Sequence, residues 1–171
     1  MYLPARNTTT TQRRLLRAGS LALTAAALLL AGGAFLAPWL ASRGSAAALP
    51  LYRFYSHICH QDPARSFAFF GHPAAACGRC LGIYLGFLAG CLAFPFFRSV
   101  FQPRLPRPRT FFLMSLPLAI DVLANLLRIW DWGNGFRLAT GLVWGLILPF
   151  FALAGLSDLV LRKLAFPPAS P

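Results

Sequence analysis

Three cysteines and two histidines lie close enough in the sequence to form one metal site. Cys59 stands between His57 and His60, and a Cys77-x-x-Cys80 pair follows after a loop. Structural zinc is held tetrahedrally by four Cys or His ligands, which three sulfurs and one imidazole would supply. Thiolates also suit Cu(I). The pattern therefore predicts a site for zinc, or for another thiophilic metal, with Cys59, Cys77, Cys80 and either His57 or His60 as ligands.

The same cysteines are also suited to thiol redox chemistry. A CxxC pair at the N-terminus of a helix has its thiolate stabilised by the helix dipole, and Arg79 adds positive charge between Cys77 and Cys80. Cys59 could then act as a resolving thiol. These three cysteines are therefore the candidate catalytic residues of a membrane thiol–disulfide oxidoreductase. A purely structural disulfide or zinc staple fits the spacing as well, and the sequence leaves open whether the protein is an enzyme.

The composition is that of a membrane protein. Hydrophobic residues make up 57% of the 171 residues and charged residues only 12%, whereas soluble domains carry about a quarter charged residues. The net charge of +12 does not indicate nucleic acid, because the arginines flank apolar runs instead of lining a polar face. The expected partner is therefore the lipid bilayer, and a homo-oligomer or a membrane protein partner stays open.

Four apolar segments predict an all-α integral membrane protein with four transmembrane helices. Residues 1–17 are predicted to be a cytoplasmic tail, and 18–42 the first transmembrane helix. The apolar part of a signal peptide is only about 7–15 residues long, so this longer run favours an uncleaved helix. Residues 43–171 are predicted to form a three-helix membrane domain with a Cys/His loop at 51–80. Its three spans are predicted at 73–97, 110–128 and 136–156.

Regularly spaced glycines predict close helix packing at the second span and at the fourth span. Gly82, Gly86 and Gly90 recur every four residues, which places them in one row along the second span. Small residues in such a row let a neighbouring helix approach closely, and Gly141 and Gly145 would do the same for the fourth span.

The distribution of arginine predicts the orientation in the membrane. Basic residues are concentrated in the N-terminal tail, in the loop at 98–109 and in the C-terminal tail. Cytoplasmic segments carry such an excess of Lys and Arg, and with four spans these three segments lie on one side. The prediction is a cell-membrane protein with both termini in the cytoplasm and the Cys/His loop facing outward.

Asp121 is an acidic residue inside the predicted third span. It lies about 15 Å into a hydrocarbon core about 30 Å thick, near the midplane. An acid at that depth is costly, so it is expected to be functional or paired. Asn125 and Arg128 share its helix face, and Arg137 is expected on the side of the cysteines. The pattern predicts that Asp121 pairs with one of these three, either as an internal clasp or as part of a small transporter.

Four motifs give the chain a family resemblance. The runs CHQDPARSF, CGRCLGIYLG, LPLAID and FRLATGLVWG resemble a family of predicted membrane proteins known as domain of unknown function 2085. The similar stretch covers roughly 57–145. The resemblance implies a multi-pass membrane protein and no particular activity. Its motif residues in this chain are Cys59, His60, Gln61, Arg65, Ser66, Cys77, Arg79, Cys80, Gly82, Tyr84, Asp121, Arg137, Thr140 and Gly141. Together with the residues around Asp121, they define a second predicted polar site of Arg65, Arg79, Asp121, Asn125, Arg128, Arg137 and Thr140.

Overall fold

The computed structural model describes residues 10–97 and 108–163, and this part of the chain is mostly helical. Its α-helices are α1 (Thr10–Ser42), α2 (Ala48–Ser56), α3 (Gly78–Phe97), α4 (Pro108–Leu126) and α5 (Gly133–Lys163). Between α2 and α3 lie a 3-10 turn (Pro63–Arg65) and an antiparallel strand pair, β1 (Ala68–Phe69) and β2 (His72–Pro73). The four longer helices, α1, α3, α4 and α5, are long and apolar enough to span a bilayer. The predicted all-α membrane fold with four spans is thereby confirmed.

The first helix is longer than predicted. α1 begins at Thr10 instead of residue 18, because nothing between Thr10 and Arg17 breaks a helix and the polar segment continues it. Its 33 residues measure about 50 Å at 1.5 Å per residue, which exceeds a bilayer core of about 30 Å. The predicted tail before residue 10, most of the basic loop, and the end of the chain after residue 163 lie outside the described residues.

The bounds of the helices α3, α4 and α5 also differ from those of the predicted spans. α3 begins at Gly78 and not at Pro73, because Pro73 pairs with Ala68 in the short hairpin. α4 begins two residues before the predicted start and ends two residues before the predicted end. α5 extends past both ends of the predicted fourth span. The hairpin therefore takes up Pro73, and residues 74–77 form an irregular connection to α3.

Glycines line the most extensive helix–helix contact of the described structure, which joins α3 to α5. A Cβ atom built on any of three α3 glycines would collide with a backbone carbonyl oxygen of α5, in the pairs Gly82 with Leu138, Gly86 with Leu142, and Gly90 with Leu146. In the same way, Gly141 and Gly145 of α5 face the carbonyls of Arg79 and Ile83 on α3. The two helices therefore run parallel with their backbones in contact, and each has the close helix neighbour that its glycine spacing predicts.

α1 supports the segment that leads into α3. The hydroxyl of Tyr55 donates a hydrogen bond to the carbonyl oxygen of Leu30, and Gly33 leaves room for that hydroxyl. The amide of Ala75 donates to the carbonyl oxygen of Ala34 at 3.3 Å. α2 and the residues just before α3 are thus both fixed to the same stretch of α1.

α4 is the most loosely packed of the four spans. It contacts α5, where Trp144 Nε1 donates to Ser115 Oγ at 3.0 Å. Its one buried residue is Asp121, and most of its large apolar side chains are exposed on the protein surface, where the bilayer would cover them. The first residues of α3 and α5 and the last residues of α4 lie at one end of the bundle, called the cysteine end below.

Candidate metal centre

Three cysteine side chains meet at the cysteine end. Cys59 follows α2, and its amide donates to the carbonyl oxygen of Tyr55 at 2.8 Å. Cys77 directly precedes α3, and Cys80 lies in its first turn. The three Sγ atoms lie within 4.8 Å of one another, and all three cysteines are free. The predicted convergence of Cys59 with the CxxC pair is therefore present, with the sulfurs unbonded.

Gln61 holds the loop in this conformation. Its Nε2 donates to the carbonyl oxygen of Tyr52 at 2.9 Å and to that of Ala75 at 2.8 Å, so it ties α2 to the segment before α3. Gln61 has a φ of 50°, which non-glycine residues rarely adopt. Tyr52 adds a second tie, because its hydroxyl donates to the carbonyl oxygen of Pro73 at 2.6 Å. These roles of Gln61 and Tyr52 were not predicted from the sequence, although Gln61 is part of the first family motif.

The surroundings of Cys59 favour its thiolate form. Hydrogen bonds from the Cys77 and Cys80 thiols hold the pKa of Cys59 well below its ordinary value. Burial acts in the opposite direction, while the backbone amides of Cys77, at 3.2 Å from Cys59 Sγ, and of Gln61 lower the pKa further. These amides also stabilise a negative sulfur without placing a full positive charge beside it.

Apolar side chains surround the three sulfurs. Cys59 is 7% exposed and belongs to a buried cluster that includes Ala34, Tyr55, Ala75, Ala76 and Leu81. Cys77, Cys80 and Tyr84 pack against this cluster as partly buried residues. Any ion held by the sulfurs would therefore lie in a poorly hydrated site.

No histidine joins the three thiols in the described part of the chain. His57 caps α2, is exposed, and places its Nδ1 2.7 Å from the carbonyl oxygen of Arg53. His60 is exposed as well, because the chain turns at Gln61 immediately after it. The geometry thus supplies the three predicted sulfur ligands and leaves both predicted imidazole ligands outside the group.

A buried ion pair lies next to the thiol site. Arg79, between the two cysteines of the CxxC pair, donates from Nε to Asp121 Oδ2 at 2.7 Å, and its Nη2 lies 2.5 Å from the same oxygen. Asp121 is fully buried. Asn125 Nδ2 donates to Asp121 Oδ1 at 3.3 Å, and Thr140 Oγ1 lies 3.5 Å from Oδ2. The carboxylate therefore joins α3, α4 and α5.

Arg137 extends this polar cluster toward the surface. Its guanidinium donates to Asn125 Oδ1 at 2.7 Å, to Asp131 Oδ2 at 2.8 Å and to Asn134 Oδ1 at 2.9 Å. The amide of Gly133, together with Arg137, lowers the pKa of the exposed Asp131 carboxyl. Asn134 in turn donates to the carbonyl oxygen of Ser66 at 3.3 Å. The cluster thus connects the helices to the loop between α2 and α3.

The main partner of Asp121 differs from the sequence-based prediction. Asp121 lies four residues past the middle of α4 and five residues before its end, about 6 Å and 7.5 Å along the helix, in the half of α4 toward the cysteine end. Of the three predicted partners, Asn125 contacts its carboxylate directly, and Arg137 is connected to it through Asn125. The main partner is Arg79, which the helix-face argument could not find because it lies on another helix.

Two residues of the predicted polar site lie apart from this cluster. Arg65 pairs with Asp62 at 3.1 Å, where both side chains are partly exposed. Arg128 is exposed and has a φ of 53°. Its amide and that of Ile129 donate to carbonyl oxygens in the last turn of α4, so Arg128 ends the helix in the left-handed conformation usual for a C-cap. The outlying arginines therefore have local roles.

A known protein family matches the part of the chain that contains both sites. A family model described as a predicted membrane protein, domain of unknown function 2085, matches residues 59–151, more than half of the chain. The chain belongs to this family. The matched region begins at Cys59 and contains the three converging cysteines and the whole Arg79–Asp121 cluster. α1 and α2 precede it.

Two archaeal proteins are similar over much of their length. An uncharacterized protein of Methanocaldococcus jannaschii, MJ1492, is 34% identical over 135 residues, which cover 75% of this chain and 86% of the relative. An uncharacterized protein of Methanothermobacter thermautotrophicus is 34% identical over 96 residues, which cover 54% of this chain and 81% of the relative. No solved structure matches. The similarity shows a membrane protein family and assigns no chemistry to the site.

Proposed function

We propose that this membrane protein holds a thiophilic ion between Cys59, Cys77 and Cys80. The observation that carries the proposal is the meeting of three free sulfurs within 4.8 Å. Zn–S bonds of about 2.3 Å in a tetrahedral site place sulfurs about 3.8 Å apart, so small side-chain rotations would close the site. The ion would bridge the end of α2 and the start of α3.

Ion binding is expected to require the three converging cysteines and not the fourth. Protein purified under reducing conditions and loaded with zinc should retain about one ion per chain by elemental analysis. Cys59→Ser, Cys77→Ser and Cys80→Ser should each retain much less, because a structural thiolate site needs its ligands. Cys91→Ser is the matched control, since Cys91 is buried in α3 and neighbours Thr24 of α1. Equal retention by all four variants would contradict the proposal.

A thiol–disulfide oxidoreductase is the second candidate, because any two of these sulfurs are close enough to approach bonding distance. The burial of Cys59 argues against it, since exchange requires a partner to reach the attacked sulfur. A thiol count separates the two candidates. An ion site protects three thiols that a chelator releases, whereas a disulfide leaves one thiol free of the three and responds only to a reductant.

The proposed orientation places the cysteine end outside the cell and retains α1. The support is the arginine distribution and the contacts of α1 with Tyr55 and Ala75. An N-terminal epitope tag should remain on the purified protein and be protected from protease added to intact cells. A tag fused after Gly71, at the tip of the β1–β2 hairpin, should be cleaved under the same conditions. Loss of the N-terminal tag would contradict retention, and the reverse pattern of protection would contradict the orientation.

A further inference from the structure

We infer that the thiol site is suited to a trivalent thiophilic metalloid of the arsenite type, bound by three sulfurs alone. The inference rests on the proposed ion site and deepens it by naming the class of ion. Two features of the structure support it. The donor set contains three sulfurs without an imidazole or carboxylate in the described residues, and the surroundings are apolar.

The donor set disfavours an ion that needs four protein ligands. Structural zinc is almost always four-coordinate, and the exposed His57 and His60 do not reach the group. Tyr55 belongs to the same buried cluster as Cys59, and its hydroxyl is already committed to the carbonyl oxygen of Leu30. Trivalent arsenic uses three bonds and keeps a lone pair, so three sulfurs complete its coordination.

The charge of the resulting complex points to the same class of ion. Three thiolates give a net charge of −2 with Cu(I), −1 with Zn(II) and zero with As(III). A net charge in an apolar site is costly unless it is paired. The guanidinium of Arg79, the residue between Cys77 and Cys80 in the sequence, is already paired with Asp121. The N-terminus of α3 and the two amides that donate to Cys59 offset part of a negative charge, which leaves the neutral complex as the best match.

The binding reaction needs no oxidant or reductant. Arsenous acid, As(OH)3, exchanges three As–O bonds for three As–S bonds, and each thiol proton leaves with a hydroxide as water. Arsenic stays trivalent and the sulfurs keep their oxidation state. Where Cys59 is already a thiolate, the third proton comes from solvent, and the product is a neutral complex and three water molecules.

Arsenite and phenylarsine oxide together test the inference on the full-length protein in detergent under reducing conditions. Arsenite requires three thiols, whereas phenylarsine oxide requires two. Wild-type protein should bind one arsenite per chain and lose three reactive thiols. Cys59→Ser should weaken arsenite binding more than ~100-fold, since even residues behind a metal ligand commonly change affinity 10–100-fold. The same variant should retain phenylarsine oxide through Cys77 and Cys80, which shows that the CxxC pair is still reduced and reactive.

The controls separate this inference from the proposed function. Cys91→Ser should bind arsenite as the wild type does, and so should His57→Ala and His60→Ala. One result would contradict the inference and leave the ion site standing. In that result zinc binds with a nitrogen ligand by X-ray absorption, and His60→Ala or His57→Ala weakens zinc binding. Arsenite then binds no more tightly than zinc. If arsenite, zinc and Cu(I) all fail to bind the reduced protein, both fail.

Discussion

Arg79→Leu is expected to lower the free energy of unfolding by about 3–5 kcal/mol, because it leaves the buried carboxylate of Asp121 without its cation. Asp121 is fully buried, and Arg79 reaches it with two nitrogen atoms at 2.5–2.7 Å. Thr140 and Asn125 would remain as neutral partners and would not balance the charge. Reversible unfolding in mixed micelles, followed by helical circular dichroism, measures the change.

A second substitution shows whether the loss comes from the unpaired charge. Arg79→Leu combined with Asp121→Leu should recover most of the stability, since apolar replacement of a whole buried pair is often neutral or stabilising. Arg65→Leu is the matched control. Its pair with Asp62 is partly exposed, and such pairs contribute about 0–1 kcal/mol. Equal losses for Arg79→Leu and Arg65→Leu would show that burial of the Asp121 pair has no energetic weight.

The sequence was sufficient for the spans and for the thiol group. Apolar runs of about 20 residues allow few alternatives to membrane helices, and a CxxC pair at a helix start brings two sulfurs to one side. The convergence of Cys59 was predictable in outline, because Pro63, Gly71 and Pro73 let the loop fold back.

The sequence could not supply the contacts that depend on how separate helices are arranged. Arg79 lies 42 positions before Asp121, so no periodicity within one helix relates them. The histidines lie outside the sulfur group for a similar reason. Their spacing from Cys59 suits a metal site, but the backbone of Gln61, the next residue after His60, is left-handed, and a glutamine in the sequence does not by itself predict that conformation. The two hydrogen bonds from the Gln61 side chain stabilise it.

The α3–α5 glycine contact gives the second large expected effect. Gly86→Ala should destabilise the bundle by about 1–3 kcal/mol or more, as overpacking does in a close-packed interior. The added methyl group would collide with the backbone carbonyl oxygen of Leu142, and a backbone atom cannot move aside as a flexible side chain can. The helices would have to separate along the whole row of glycines, which loosens the start of α3 where Cys80 lies.

Gly155→Ala supplies the matched control for the same chemical change, because a methyl group at Gly155 in α5 would meet nothing within 4 Å. It should be neutral or stabilising by up to ~1 kcal/mol, the difference in helix propensity between the two residues. Gly86→Ala combined with Gly145→Ala should cost less than the sum of the single changes, since helices already separated by one methyl group make room for the other. Additive losses, or equal effects of Gly86→Ala and Gly155→Ala, would show that α3 and α5 do not pack backbone to backbone.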